Sequence, residues 1–492
     1  MDSEPTWHGD RPKEECGVVG LCVPGQDAAR LAFFSLFALQ HRGQESAGIA
    51  VGDGHQVHMH KNMGLVSQVF DEDALHSMPG SVAIGHTRYS TAGASVLRNA
   101  QPIFCTSSVG DVAVAHNGNL VNAYALRREM EAEGERFDST ADSELIARLF
   151  VRALDRGPMV AVREVMRRTV GAYSVCVLTP NGVVGFRDPN GVRPLVYGTL
   201  SNGWLLASET CAFWPVGGTP VREVEPGEAV LLDEDGAHPE RIIEGQPERL
   251  CLFETIYFAR PDSVMHGTTL YSARERMGEA LAREHPVEAD IVVPVPDSGI
   301  PAAHGYSRES GIRFHEVMMK SRYIHRTFIQ PDQRMREMGV RMKLAPLQDE
   351  IRGNSVILVD DSIVRATTTG QIVRLMRESG ATEVHVRITA PPIQWPCFYG
   401  IDMASKEELA AARMTIDEIC SHIGADTLGY LSIEGATSAV GPQVDRYCLA
   451  CFNGKYPIPI PSSVRRDPFA DDPDVVGQMA TLEVHQGSLF QD

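Results

Sequence analysis

Hydrophobic and polar positions alternate in many short runs over the first half of the chain, from residue 16 to about residue 245. Alternation broken by Gly and Asn is typical of strands in antiparallel sheets. The runs are GVVGLCV, SVAIGH, DVAVAH, YSVCVL, GVVGF and WLLAS. Helical patterns interrupt them at 27–40, 120–133 and 142–155, with Asp27 as N-cap of the first and Ser139 or Thr140 as N-cap of the third. We therefore predict an α+β domain with helices packed on antiparallel sheets.

The pattern changes after the polar stretch IEGQPERL (243–250), which we interpret as a linker. IVVPVP (291–296) and SVILVD (355–360) are continuous apolar runs of the kind buried in parallel sheets. A loop and a helical pattern follow each of them, which predicts a doubly wound α/β domain with sites at the carboxyl ends of its strands. The acidic, Pro-containing stretch 466–492 is expected to be a disordered tail.

Composition narrows the classes of function. The chain has 492 residues, ten cysteines and a formal net charge of −19, which argues against a nucleic-acid partner. No stretch approaches the roughly 18 to 20 apolar residues of a membrane span, and the N-terminus lacks the apolar segment of a secretory signal. Cysteines without such a signal indicate a reducing compartment. We expect a cytoplasmic protein with no membrane partner.

The first candidate for chemistry is Cys16, in the run KEECGVVG. If residues 1–15 are removed as a propeptide, Cys16 carries a thiol and a free α-amino group together. The amine can then accept the proton of the nucleophilic thiol. The alternative is a buried cysteine that opens a β-strand.

A second candidate is the run SVILVDDSIVRATTTG (355–370). Asp360 and Asp361 end a buried strand, where paired carboxylates can hold a ribose diol or Mg²⁺. The turn that follows opens a helix, and its backbone N–H groups favour a phosphate. Thr367, Thr368 and Thr369 add hydroxyl donors.

This run resembles the 5-phosphoribosyl-1-pyrophosphate (PRPP) motif of type I phosphoribosyltransferases. The resemblance implies that the acids approach the ribose and the metal, while the turn holds the 5-phosphate. The PRPP-binding residues it implies here are Asp360, Asp361, Arg365, Ala366, Thr367, Thr368 and Thr369. Ala366 stands where that family most often has Gly, so its Cβ crowds the phosphate if the backbone has a positive φ.

Two further segments resemble parts of the same fold. PVPDSG (294–299) is similar to its pyrophosphate loop, which implies that Ser298 joins Asp360 and Asp361 around one Mg²⁺ per subunit. Seven Lys or Arg residues stand against two acids between 320 and 343, as in a solvated basic face or an anion-binding loop. MKSRYIHRTFIQPDQRMR resembles the loop that closes over PRPP, which implies contacts from Arg326 and Lys343.

Four motifs follow Cys16 in order: QHRGQESAGIA (40–50), GHTRYSTAG (85–93), HNGNL (116–120) and TADSE (140–144). Together they resemble the class II glutamine amidotransferases, whose N-terminal-nucleophile fold is an αββα sandwich. The resemblance implies that Arg88 pairs with the glutamine α-carboxylate and Asp142 with the α-ammonium. It also implies that Asn117 and Gly118 form the oxyanion hole for attack by Cys16. Taken singly, these residues also fit a surface cation, a helix N-terminal acid and an Asn-Gly turn.

A glutaminase half followed by a PRPP half resembles the amidophosphoribosyltransferase family over about 16–465. The domains implied are a propeptide (1–15), a class II glutamine amidotransferase domain (16–245) and a phosphoribosyltransferase domain (250–465). The resemblance implies that ammonia from glutamine passes internally to C1 of PRPP, giving 5-phosphoribosylamine, glutamate and pyrophosphate. This is the first committed step of de novo purine (IMP) biosynthesis. A homotetramer and feedback inhibition by purine nucleotides are also implied.

CLFETIYFARPDS (251–263) belongs to the same signature, and its Tyr257 and Arg260 are expected to couple the two sites. Four cysteines remain to be explained: Cys251, Cys397, Cys448 and Cys451. Four thiolates bind zinc or a [4Fe–4S] cluster, and the residues alone do not choose between them. The resemblance to the propeptide-bearing branch of the family implies one [4Fe–4S] cluster per subunit as a structural staple.

Two other functions fit part of the sequence. A glutaminase could deliver ammonia to a different acceptor, as in the sugar-phosphate and asparagine-forming relatives, but DDSIVRATTTG counts against this. A PRPP-sensing regulator that binds DNA is the non-enzymatic alternative, and the net charge of −19 counts against it.

Overall fold

The computed structural model describes residues 16–89, 95–244, 247–321, 344–401, 403, 406–441 and 444–461. Its first half contains two antiparallel sheets with helices on their outer faces. The strands are β1 (Gly17–Cys22), β2 (Ser46–Gly52), β3 (Val57–Met63), β4 (Val82–Arg88), β5 (Ile103–Ser107), β6 (Gly110–Leu120), β7 (Gly171–Thr179), β8 (Gly182–Arg187), β9 (Val196–Leu200), β10 (Gly203–Ala207), β11 (Thr219–Glu223), β12 (Glu228–Leu232) and β13 (Ala237–Arg241). The helices are α1 (Ala28–Ala38), α2 (Val66–Val69), α3 (Glu72–His76), α4 (Ala123–Ala132), α5 (Asp142–Ala153) and α6 (Pro158–Arg168).

The strand order is β11-β9-β10-β1-β4-β2-β3 in one sheet and β13-β12-β8-β7-β6-β5 in the other. Side chains from both sheets meet in one apolar core that includes Val18, Ile84, Ala115 and Leu206. Separate apolar clusters lie beneath α1 on one outer face and beneath α5 and α6 on the other. The first half is therefore the predicted αββα sandwich.

The helix caps agree only in part with the sequence analysis. The Asp27 side chain accepts from Arg30 N at 3.1 Å and caps α1 as predicted. The prediction of Ser139 or Thr140 as N-cap of α5 is wrong, because Ala141 occupies that position. The Glu144 carboxylate instead reaches back and accepts from Ser139 N at 2.8 Å. It thereby satisfies backbone donors that precede the helix, as the N3 carboxylate of a capping box does.

The second half is built around a parallel sheet. Its strands are β14 (Leu250–Cys251), β15 (Val264–Met265), β16 (Thr268–Thr269), β17 (Ile291–Pro294), β18 (Arg313–Phe314), β19 (Met318–Lys320), β20 (Leu344–Pro346), β21 (Ser355–Asp360), β22 (Glu383–Ile388), β23 (Thr427–Tyr430) and β24 (Tyr447–Cys448). Its α-helices are α7 (Leu270–Glu284), α8 (Ile300–Ser310), α9 (Gln348–Ile351), α10 (Thr367–Glu378), α11 (Ala410–Arg413), α12 (Ile416–Ile423), α13 (Ile433–Val440) and α14 (Ala450–Asn453), and a π-helix spans Glu254–Phe258.

Five strands in the order β18-β17-β21-β22-β23 form this sheet, and every pairing in it is parallel. The predicted apolar strands 291–296 and 355–360 correspond to β17 and β21, which are adjacent. The predicted α/β class of the second half is thereby confirmed. Among the described residues, no helix has the length and apolar character that crossing a bilayer requires.

Candidate functional site

Cys16 lies buried immediately before β1. Its thiol donates to the Tyr89 carbonyl at 3.4 Å, and Arg42 Nε donates to the Cys16 carbonyl at 3.0 Å. Burial raises the pKa of the thiol to about 11. In this environment the thiol of the uncleaved chain is protonated at neutral pH, so a nucleophilic role needs a base beside it.

The end of β4 places Arg88 beside this thiol. Gly17 faces Thr87 in the antiparallel β1–β4 pairing. Cys16 precedes Gly17 and Arg88 follows Thr87, so Cys16 and Arg88 are also neighbours. Arg88 is buried and its charge acts to lower the thiol pKa, which excludes the surface-cation interpretation. A buried guanidinium beside a nucleophile is suited to hold a substrate carboxylate.

Asp142 is the first residue of α5 and is also buried. It accepts from Leu120 N at 3.0 Å, and its second oxygen lies 3.5 Å from His116 Nδ1. Burial by itself raises the pKa of this carboxyl, but His116 and the backbone donors outweigh it and hold the pKa below its ordinary value. Asp142 is therefore a carboxylate at neutral pH, as pairing with an ammonium group requires.

Asn117 and Gly118 lie within β6 rather than in a turn. Asn117 is 1 % exposed, and its Nδ2 has no hydrogen-bond partner among the described residues. Gly118 has a φ of 143°, and a Cβ there would lie 2.0 Å from the Ala172 carbonyl oxygen. Buried donors without partners are rare in proteins, so the Asn117 amide is a candidate to bind a ligand atom.

The second half contacts this strand directly. Asn119 Nδ2 donates to the Phe398 carbonyl at 2.9 Å, and Arg193 Nε donates to the Tyr399 carbonyl at 2.8 Å. A Cβ on Gly400 would lie 3.1 Å from the Gly118 backbone. The segment that follows Cys397 thus packs against the candidate oxyanion hole.

A buried ion network, which the sequence analysis missed, also crosses between the halves. Arg42 donates to Glu209 and to Glu254, each at 2.6 Å, and Arg193 lies 3.6 Å from Glu254. Burial alone would raise the pKa of Glu209, but His41 and Arg42 hold it far below its ordinary value. The sequence signal was a charged residue in each of two motifs, QHRG and CLFETIYF, whose partners lie far away in the chain.

Arg260 extends the same network. Its backbone N donates to Glu209 Oε2 at 2.9 Å, and its Nη1 donates to the Ala38 carbonyl at 3.3 Å. Tyr257 is partly buried in the π-helix, with its ring centroid 5.1 Å from that of Phe258. Of the two predicted coupling residues, Arg260 therefore contacts the first half, whereas Tyr257 packs on Phe258 within its own helix.

The adjacent ends of β17 and β21 bring the predicted metal-binding residues together. Asp360 and Asp361 are buried, and Ser298 Oγ donates to the Asp361 carboxylate. Asp361 N donates to Asp360 Oδ1 at 2.9 Å, which fixes the first carboxylate against the turn. Lys320 forms an ion pair with Asp297 at the same edge.

The predicted phosphate turn follows at once. Ala366 precedes α10 with a φ of 67°. The backbone thus has the positive φ at which the Cβ of Ala366 is expected to crowd a bound phosphate. Arg365 lies 3.4 Å from Glu408, Thr369 is buried, Thr368 is half-buried and Thr367 is exposed. Arg326 and Lys343 lie outside the described residues.

The four predicted cluster cysteines line one enclosed cavity together with Arg193 and the tyrosines at 399 and 456. Cys251 faces Cys448 across the parallel β14–β24 pair, and none of the four cysteines forms a disulfide within the described part of the chain. Burial raises the pKa of Cys448 to about 12. Among the described residues, no three of these sulfurs lie within 4.8 Å of one another.

Comparisons with known proteins match both halves of the chain. The family model for the glutamine amidotransferase domain matches residues 86–215, and that for the phosphoribosyl transferase domain matches residues 266–391. An amidophosphoribosyltransferase of Synechocystis sp. is 52 % identical over 465 residues, covering 93 % of this chain and 94 % of the relative. That of Archaeoglobus fulgidus is 48 % identical over 451 residues, covering 91 % and 98 %.

Two solved structures have the same architecture at 44 % identity. One, described as the allosteric regulatory enzyme of purine biosynthesis, has a TM-score of 0.88 and covers 92 % of this chain and 98 % of its own. The other is the glutamine PRPP amidotransferase of B. subtilis complexed with ADP and GMP, with a TM-score of 0.87 and coverage of 92 % and 99 %. The chain therefore belongs to the amidophosphoribosyltransferase family.

Proposed function

We propose that this chain is a glutamine-dependent amidophosphoribosyltransferase. It transfers ammonia from glutamine to C1 of PRPP and forms 5-phosphoribosylamine, glutamate and pyrophosphate, the first committed step of purine biosynthesis. The observation that carries the proposal is the presence of both sites, a buried thiol beside Arg88 and strand-end carboxylates beside a phosphate turn, in one chain related to this family along its length. We assign the glutaminase domain to 16–245 and the phosphoribosyltransferase domain to 250–465.

In the glutaminase half, Cys16 attacks the glutamine side-chain amide after residues 1–15 have been removed. The freed α-amino group takes the thiol proton, which the raised thiol pKa makes necessary. Arg88 and Asp142 hold the α-carboxylate and α-ammonium of glutamine. Asn117 Nδ2 and Gly118 N donate to the oxyanion of the tetrahedral intermediate. Ammonia leaves, and water hydrolyses the glutamyl thioester.

In the phosphoribosyltransferase half, Asp360 and Asp361 hold the ribose hydroxyls. The backbone and hydroxyl donors of 365–369, at the N-terminus of α10, hold the 5-phosphate. We assign Arg326 and Lys343 as further contacts of PRPP. Excluding water there protects C1 from hydrolysis while ammonia arrives.

Mg²⁺ fits the same edge, since carboxylate and hydroxyl oxygens are the ligands that it prefers. Ser298, Asp360 and Asp361 would hold one ion per subunit, and the contact of Ser298 with Asp361 supports this set. When bound, the ion neutralises charge on the leaving pyrophosphate.

We assign one [4Fe–4S] cluster per subunit to Cys251, Cys397, Cys448 and Cys451. A single zinc ion with Zn–S bonds of about 2.3 Å holds its sulfurs about 3.8 Å apart, closer than any three sulfurs of this set. A cluster binds each cysteine through a different iron and tolerates the wider spacing. When bound, it links the linker strand β14 to the C-terminal strand β24 and to Cys397.

The two reactions are coupled by passage of ammonia inside the protein, with Tyr257 and Arg260 at the junction. The contacts of Arg260 with Glu209 and Ala38 support this role. We further propose a cytoplasmic homotetramer that purine nucleotides inhibit. The complex of the B. subtilis relative with ADP and GMP supports nucleotide binding.

Separate assays of the two half-reactions test the function. Cys16→Ala should abolish 5-phosphoribosylamine formation from glutamine and leave formation from ammonium and PRPP unchanged. Cys22→Ala, at a buried cysteine six positions along, is the matched control and should keep both activities. Equal loss of both activities in Cys16→Ala would contradict a separate glutaminase site.

The identity of the acceptor and of the bound groups needs two more measurements. PRPP, and no other phosphosugar, should raise the rate of glutamine hydrolysis; stimulation by a hexose phosphate instead would support the alternative acceptor. Intact native mass should show a chain that begins at Cys16 and carries four irons and four sulfides. An active chain that still begins at Met1 would exclude the proposed nucleophile.

A further inference from the structure

A second group of metal-ligating side chains lies away from both reaction sites, where the two halves meet. It borders a cavity of about 1180 Å³ and consists of Glu223, Glu248 and His266. Glu223 ends β11 of the first half, Glu248 lies in the connecting segment, and His266 lies in the turn between β15 and β16. None of these three residues lines the cysteine cavity or belongs to the group of Ser298, Asp360 and Asp361.

The geometry of the three side chains suits a metal ion better than hydrogen bonds. His266 Nε2 lies 3.9 Å from Glu223 Oε2 and 3.7 Å from Glu248 Oε1, beyond hydrogen-bonding distance. One ligand atom from each residue lies within 4.8 Å of the other two. Zn²⁺ bonds of about 2.0–2.2 Å set ligand atoms about 3.4 Å apart. The His266 nitrogen is within about half an ångström of that spacing from each carboxylate, and the carboxylate oxygens lie no more than 4.8 Å apart.

The histidine is the stronger indication. Its side chain is 10 % exposed, and Nε2 is a buried atom with no hydrogen-bond partner among the described residues. A buried polar atom of this kind calls for an explanation, and an absent ligand is one. An imidazole nitrogen aimed between two carboxylates is a typical donor set for zinc and related ions.

The backbone holds this arrangement in place. His266 has a φ of 50°, unusual for a residue with a side chain, and its N–H donates to Glu223 Oε1 at 2.6 Å. The imidazole ring also packs against Tyr447, with ring centroids 5.8 Å apart. The ring is thus fixed before any ion binds, which lowers the entropy lost on binding.

Two arginines oppose a cation. Arg446 Nη2 lies 2.5 Å from Glu248 Oε2, and Arg187 Nη1 lies 3.7 Å from Glu248 Oε1. They offset the charge of the two carboxylates, so charge alone does not draw in Ca²⁺ or Mg²⁺. An ion with a strong preference for imidazole gains most from His266.

We propose that Glu223, Glu248 and His266 form a site for a divalent transition-metal ion of the zinc class. An ion bound there joins β11, the connecting segment and the β15–β16 turn, and so fastens the glutaminase half to the phosphoribosyltransferase half. Its fourth position opens to water in the cavity.

The test uses the purified full chain with its four-cysteine site loaded, treated with a chelator and assayed without PRPP. Equilibrium dialysis against Zn²⁺ should find one further equivalent per chain. Co²⁺ bound in its place should lack the thiolate charge-transfer absorption that cysteine ligands give. Absorption of that kind, or no further equivalent at all, would overturn the proposal, because the ion would then sit on cysteines or the three residues would form an ion-pair network only.

Substitutions at the proposed ligands test whether the ion binds to these residues. His266→Asn suits the left-handed backbone and removes the imidazole, and Glu223→Gln keeps an oxygen that can accept from the His266 N–H. Loss even of a residue that orients a ligand weakens binding by about 10–100-fold, so each variant should weaken Zn²⁺ at least ~100-fold. His238→Asn is the matched control, since His238 Nε2 lies 2.9 Å from Asp233 Oδ1 at an exposed site. Equal binding by wild type and Glu223→Gln, or equal loss in His238→Asn, would refute the assignment.

Discussion

The buried Nδ2 of Asn117 leads to the prediction that a substitution there lowers the glutaminase activity without lowering the stability of the fold. The side chain is 1 % exposed, and its Nδ2 makes no hydrogen bond to any described residue. In the proposed mechanism this donor is used only when an oxyanion forms. We therefore expect Asn117→Ala to damage the glutaminase reaction and to leave the fold intact.

Both magnitudes follow from the position of the group. Removal of one oxyanion-hole donor costs about 10²–10³ in kcat, or about 2.7–4 kcal/mol. A buried donor left unpaired costs the folded state about 1–3 kcal/mol, and the alanine variant no longer carries that cost. The packing lost with the amide offsets the gain, so the unfolding free energy should change by less than about 1 kcal/mol.

Asn119 is the matched control, two residues further along the same strand. Its Nδ2 has a partner, the Phe398 carbonyl at 2.9 Å, so Asn119→Ala should lower the unfolding free energy by about 1–3 kcal/mol. Glutamine-dependent and ammonium-dependent formation of 5-phosphoribosylamine are measured beside denaturant unfolding for both variants. The reasoning fails if Asn117→Ala lowers both activities equally or destabilises the chain as much as Asn119→Ala does.

Three further outcomes are expected. In a chain that retains residues 1–15, Cys16 has a pKa of about 11, and only its thiolate reacts with an alkylating agent. The alkylation rate should therefore rise roughly tenfold per pH unit from pH 7 to pH 10. A plateau below pH 9 would contradict the raised pKa of the buried thiol. Glu254→Ala leaves two buried arginines, Arg42 and Arg193, with Glu209 as the one remaining carboxylate described here, and should lower the unfolding free energy by about 3–5 kcal/mol. A change below ~1 kcal/mol would mean that the network contributes little. Ala366→Gly removes an alanine in the left-handed conformation, which costs the folded state about 1–2 kcal/mol, but makes the unfolded chain freer, which costs about 0.4–1 kcal/mol. The variant should therefore be slightly more stable and have a lower KM for PRPP. A higher KM would show that the Cβ does not crowd the phosphate.

The fold was predictable where a pattern repeats over neighbouring residues. Alternation and continuous apolar runs identified β1, β4, β6, β17 and β21, because each buries one or both faces in a sheet. The error at the start of α5 has a local cause. The Glu144 carboxylate, in the first turn of the helix, accepts from both the N–H and the Oγ of Ser139 and so engages that residue ahead of the helix. A carboxylate that reaches back from within the helix is harder to recognise than a capping hydroxyl before it.

The candidate site was predictable as far as its residues lie in contiguous motifs. Cys16, Arg88 and Asp142 come from separate runs, and the structure brings them close enough for the charges of Arg88 and Asp142 to act on the buried thiol. Asn117 follows His116, which lies 3.5 Å from the Asp142 carboxylate. Glu254 was missed because its contact with Arg42 spans 212 positions and depends on how the halves dock. Long-range pairs between buried charges leave no periodic trace in a sequence.

The cross-domain contacts also indicate how the cysteine site, which lies outside both proposed reaction centres, would act on the glutaminase half. The Phe398 and Tyr399 carbonyls, which follow Cys397, accept from Asn119 and Arg193 of the first half. Gly400 packs so closely on Gly118 that a Cβ would lie 3.1 Å from its backbone. We therefore expect a displacement of Cys397 to be transmitted over a few residues to the strand that carries the proposed oxyanion donors. Because packed backbone is not continuously deformable, we expect a group bound in the cysteine cavity also to support the shape of the glutaminase site.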